Sequence, residues 1–140
     1  MRIHHVLPSA AWSDAGREYR DSEPGVPLRC CLRKSLDGEP VWLFRYSPAA
    51  GKGPYAEVGP IFTHVECPAP PALDRLPASL LNAPRILRSY NAAGQIHDGS
   101  VVEPGSFDRV IEGLFDDPAI ESLQVRSVSH GCFLFAVTRA

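Results

Sequence analysis

No stretch of this 140-residue chain comes near the ~20 consecutive apolar residues that a membrane-spanning helix requires. The segment from Val6 to Trp12 is short and broken by Pro8, so it lacks the continuous apolar region of a secretion signal. An excess of one charge is also missing. Lys and Arg number 14 against 16 Asp and Glu, a net charge of -2, and no broad basic face for phosphates is expected. These absences predict a soluble, cytoplasmic protein with neither a membrane nor nucleic acid as partner. A chain of this size, with 44% hydrophobic residues, is expected to fold as one globular domain over 1–140.

Motifs are scarce as well. There is no GxGxxG, P-loop, GxSxG, HExxH or EF-hand loop, which sets aside the dinucleotide, nucleotide-triphosphate, serine-hydrolase, zincin and calcium classes that those motifs define. The four cysteines include no CxxC pair: Cys30 and Cys31 are adjacent, and Cys67 and Cys132 lie far off. Neither a thioredoxin-type motif nor a zinc ribbon is written here, and in a reducing cytosol each thiol defaults to a small buried side chain.

Proline is plentiful, 14 residues or about twice the usual share, and it clusters around 24–27, 48–60 and 68–84. Such clusters mark loops that punctuate strands, because proline has no N–H for a ladder. Between them, short β-like runs recur. Leu28 to Lys34 and Val41 to Tyr46 read as a hairpin around Asp37-Gly38, Arg85 to Asn91 and Gln95 to Val102 as a second around Ala92-Ala93-Gly94, and Leu123 to Val128 with Cys132 to Thr138 as a third through His130-Gly131. A helix is predicted over Phe107 to Phe115, with apolar residues at i, i+3, i+4, i+7 and i+8 and Ser106 as N-cap. Leu73, Leu76, Leu80 and Leu81 suggest another, and Trp12 with Tyr19 a third. The expected fold class is α+β: a mainly antiparallel sheet built from hairpins, with two or three helices.

Three constellations have chemical content. In the run Pro54 to Cys67, a bulge at Gly59-Pro60 would swap strand faces and let Glu57 orient His64 as a general acid/base pair, with Tyr55 as part of a pocket wall. The plainer reading makes Glu57 a solvated strand residue and His64 a hydrogen-bonded core residue. Second, His64 and Cys67 together with His130 and Cys132 supply the imidazoles and thiolates that zinc prefers. Third, Arg29, Arg33, Arg45, Arg85, Arg88 and Arg126 fall on predicted strands, where a permanent charge needs either an internal carboxylate or a bound anion. Arg88 is the candidate to hold a small anionic ligand beside His64.

The order of short signatures PGVPLRCCLR, GEPVWLFRYSP, PYAEVGPIFTHVEC, RILRSYNAAGQI, SFDRVIEGLFDDP and HGCFLFAVTR resembles the bacterial domain-of-unknown-function family numbered 1203, from about Pro24 to Arg139. The resemblance implies a small single-domain bacterial protein. It brings no activity, cofactor or catalytic residue. Three classes of function therefore stay open: an enzyme or anion-binding protein with a pocket near Gly59-Pro60, a zinc-binding module, and an interaction protein with no catalytic site.

Overall fold

The computed structural model describes residues 1–11, 17–48 and 50–140. Its strands are β1 (Arg2–His4), β2 (Glu18–Asp21), β3 (Pro27–Leu28), β4 (Arg33–Lys34), β5 (Pro40–Tyr46), β6 (Gly59–His64), β7 (Arg85–Tyr90), β8 (Ile96–Val102), β9 (Ser122–Ser127) and β10 (Phe133–Thr138). One α-helix, α1 (Phe107–Phe115), lies among the described residues. The strands form two five-stranded sheets, in the orders β1-β10-β9-β7-β8 and β2-β5-β6-β3-β4. The fold is therefore mostly β, which corrects the α+β class with two or three helices.

The missing helices have local causes. Pro71, Pro77 and Pro84 bracket the leucine-rich segment, and without their N–H groups only a 3-10 turn at Ala78–Leu80 forms there. Tyr19 belongs to β2, and Trp12 lies outside the described residues. Helix α1 stands where its periodicity put it, but Ser106 makes no side-chain cap hydrogen bond.

The first sheet follows local turn chemistry. β7 pairs β8 across a turn in which Gly94 takes φ 77°, and β9 pairs β10 across one in which Gly131 takes φ 69°. One face of this sheet carries Leu87, Val125, Phe135, Val137 and Leu123, which share a single buried cluster with Phe107 and Ile111 of α1 and with Leu32 and Leu80. The opposite face carries Arg88, Gln124, Ala136 and His4 in register across β7, β9, β10 and β1. Val6, Phe44, Ile61 and Phe133 form a second cluster that joins the two sheets.

The second sheet departs from the expected hairpins. Gly38 does turn with φ 76°, but β5 pairs with β2 and β6, and β4 pairs with β3. The run Leu28 to Lys34 is not one strand: the chain reverses over residues 29–32, and β3 lies parallel to β6 through Leu28 and Phe62. The ladder between β5 and β6 passes through Arg45↔Pro60 and Tyr46↔Gly59 without a register shift. No bulge exchanges the faces there, and the strand begins only at Gly59, after a 3-10 turn at Gly53–Tyr55.

Candidate metal centre

The reversal after β3 is held by backbone. The Leu32 N–H donates to Leu28 O at 2.9 Å, and Leu32 takes φ 57°, the one positive value at a non-glycine among the described residues. That conformation costs a leucine about 1–2 kcal/mol. Burying its side chain to 2% exposure in the main core contributes about 1.5–3 kcal/mol and offsets the cost. Arg29 pins the same turn, donating from Nε to Phe133 O at 2.8 Å and from its backbone N–H to Phe62 O at 2.8 Å. The consequence is that Cys30 and Cys31 both face the last residue of β6.

That residue is His64, 3% exposed. Its Nδ1 lies 3.5 Å from Cys30 Sγ and 3.7 Å from Cys31 Sγ, and its backbone N–H donates to Cys30 Sγ at 3.3 Å. Three residues on, Cys67 completes a group whose four donor atoms all lie within 4.8 Å of one another. On the far side of the ring, Nε2 lies 2.7 Å from Glu39 Oε2. Glu39 is fixed in turn by Arg33, whose Nη1 and Nη2 donate at 3.0 and 2.9 Å, and by the Leu36 N–H at 2.5 Å.

The electrostatics follow from these contacts. Arg33, then the Leu36 N–H, hold the Glu39 carboxyl at about 2. An ionised Glu39 accepts a proton donor, so Nε2–H is the tautomer that satisfies it, leaving the Nδ1 lone pair toward the thiols. The Cys30 S–H donates toward Cys31, which, with the Arg33 backbone N–H and the Arg33 charge, draws the Cys31 thiol down to about 6. The same contact with Cys31, then burial, pushes the Cys30 thiol up. Four ligand-type atoms and an ordered carboxylate behind the imidazole thus converge at one corner of the second sheet, with Cys30 and His64 buried and Cys31 and Cys67 half-buried.

The family model described as a protein of unknown function, DUF1203, matches residues 25–139 of the 140-residue chain. The chain belongs to this family. No curated protein and no solved structure matches it. The family span contains the whole cluster, including Arg33 and Glu39.

Of the four residues that the zinc alternative named, the cluster contains His64 and Cys67 but neither His130 nor Cys132. The Cys30-Cys31 turn takes the place beside His64 Nδ1 that this alternative gave to the second pair. His130 and Cys132 lie at the β9–β10 turn, where the Cys132 N–H donates to Ser127 Oγ at 3.0 Å. They line a depression of about 240 Å³ beside Gly59 and Pro60, together with Glu57 and Arg126.

Glu57 does not meet His64. Its Oε1 accepts from Arg88 Nη1 at 2.8 Å and its Oε2 pairs with Arg126 Nη2 at 3.1 Å, while the carboxylate on His64 is Glu39. Arg88 also donates to Tyr90 Oη at 3.3 Å. Its counter-charge is internal, and Arg88 does not line the depression beside Pro60. Tyr55 stands in the 3-10 turn, 38% exposed. The members of the cluster that the sequence reading missed were the adjacent cysteines, and their signal was the neighbouring pair itself, hidden when Leu28 to Lys34 is read as one continuous strand.

Proposed function

We propose that this protein is a zinc-binding module in which Cys30, Cys31, His64 and Cys67 hold one ion. The observation that carries the reading is the convergence of three thiols and one imidazole nitrogen within 4.8 Å, with a carboxylate on the imidazole's other nitrogen. Tetrahedral zinc with bonds of ~2.3 Å to sulfur and ~2.0 Å to nitrogen separates its ligands by roughly 3.5–3.8 Å. The 3.5 and 3.7 Å from Nδ1 to the two sulfurs are close to that edge. Carboxylate–histidine–metal triads orient the ring and raise its basicity, and Glu39 is placed for that work.

Four protein donors complete a tetrahedron and leave no position for substrate, so the role is structural. The ion would tie the Cys30-Cys31 turn to the end of β6 and to the start of the proline-rich stretch after Cys67, which holds little regular structure before β7. A second reading, a thiol–disulfide centre, is favoured by the lowered Cys31 thiol beside Cys30.

Elemental analysis of protein purified without chelator separates the two. Stoichiometric zinc that is lost in Cys31→Ser and Cys67→Ser supports the module. Metal-free protein whose Cys30 and Cys31 cycle with a dithiol reductant supports the thiol centre and overturns the module.

A further inference from the structure

We propose that a cavity between the two sheets binds a small carboxylic acid carrying a carbonyl oxygen at the far end of a compact apolar body. The cavity measures about 410 Å³, within the range of small-molecule sites, and shares no residue with the cysteine–histidine cluster. Val6, Tyr46, Phe133 and Ala136 give it apolar walls, with the Tyr46 and Phe133 rings 5.6 Å apart between centroids.

Its inner polar group is Gln124, which is only 1% exposed. The amide orientation is fixed, because Oε1 accepts from Arg126 Nε at 3.0 Å, from Arg126 Nη2 at 2.6 Å and from Tyr90 Oη–H at 3.3 Å. All three partners are donors, so the oxygen must face them and the NH₂ must face away. Among the described residues Nε2 has no partner, yet no sealed side-chain nitrogen or oxygen is left unsatisfied. The NH₂ therefore reaches open space, and the space that Gln124 lines is this cavity. A donor set among apolar walls selects an acceptor oxygen and rejects an isostere that lacks one.

The charge is read at the mouth. Lys52 lines the cavity at an exposed position and forms no ion pair among the described residues. His4 and His5 lie on the same lining with their pKa values lowered by burial, so both stay neutral at pH 7 and leave Lys52 as the cation there, with Glu121 as the lining's one carboxylate. A carboxylate at Lys52 and a carbonyl at Gln124 put both ends of one ligand to use and leave the body against Tyr46 and Phe133.

Calorimetric titration with three matched probes tests this: 4-acetylphenylacetate, 4-isopropylphenylacetate and 4-acetylphenethylamine. The keto acid should bind saturably, with the isopropyl acid about 5–10-fold weaker for want of the hydrogen bond. The amine should be weaker than the keto acid by at least as much. Gln124→Glu keeps an acceptor for Arg126 and Tyr90 but removes the N–H donors, and should abolish the preference for acetyl over isopropyl. Lys52→Met, at an exposed site that leaves the fold intact, should weaken both acids about 2–5-fold at low salt and leave the keto acid's methyl ester unchanged. No saturable binding of the keto acid up to about 10 mM, or equal binding of the acetyl and isopropyl acids by the wild type, overturns the proposal; so does weakening of the methyl ester by Lys52→Met as great as that of the acids.

Discussion

Replacing Glu39 by glutamine should weaken zinc binding more than it weakens the fold. The carboxylate lies 2.7 Å from His64 Nε2, the distance of a charge-assisted hydrogen bond, which is about twice as strong as its neutral counterpart. An amide keeps the shape and an acceptor but loses the charge that raises the ring's basicity. Removing such a partner lowers metal affinity about 10–100-fold, or about 1.4–2.7 kcal/mol. The loss to folding is smaller. Arg33, the other partner, keeps 37% of its side chain in water and can be re-solvated, so the metal-free protein should lose about 0.5–1.5 kcal/mol. Zinc affinity is read by competition with a chromophoric chelator, and stability by urea unfolding of metal-free protein at the same pH. Arg33→Met is the control: it frees Glu39 without removing the carboxylate and should cost about threefold or less in affinity. If Glu39→Gln binds zinc within twofold of the wild type while its fold weakens as expected, Glu39 is only a fold residue and the triad argument is refuted.

Other consequences concern the fold around the site. In metal-free protein the depressed Glu39 carboxyl, about 2 against an ordinary 4.5, contributes stability that is fully present above pH 4.5 and lost as pH falls toward 2. An acid titration followed by near-ultraviolet circular dichroism should show that loss, about 1–2 kcal/mol after solvent screening, in the wild type and not in Glu39→Gln. Glu57→Ala leaves Arg126, 5% exposed, facing Arg88 without their shared carboxylate, and should cost about 1–3 kcal/mol by urea midpoint. Leu32→Ala removes a core side chain from a strained turn and should cost about 2–4 kcal/mol; zinc affinity should fall with it, because the turn aims both thiols. Ser106→Ala should change stability by less than about 0.5 kcal/mol, well below a usual N-cap loss, because the hydroxyl makes no cap bond.

Legibility in the sequence tracked the range of the interactions. The β7–β8 and β9–β10 pairs were readable because each strand's partner lies across a short turn marked by Gly94 or Gly131. The second sheet was not, since β2 with β5 and β3 with β6 join segments that have two other strands between them in the chain, and no local signal specifies such partners. Leucine spacing at 73–81 imitated a helix until its prolines are given their full weight. In the site, His64-x-x-Cys67 was visible as a pair of ligand-type residues, whereas Cys30 and Cys31 were lost in an apparent strand alternation that the positive φ of Leu32 breaks. Glu39 looked like an ordinary turn residue; only the approach of β6 to the 33–39 segment makes it the partner of His64.

The most direct test of the zinc assignment is X-ray absorption at the zinc edge on protein purified without chelator. The spectrum should show one zinc per chain with three sulfur neighbours at ~2.3 Å and one imidazole nitrogen at ~2.0 Å, and loss of one sulfur from that shell in Cys67→Ser. A shell dominated by oxygen, or protein that carries no zinc and takes up none when it is supplied, would contradict the assignment.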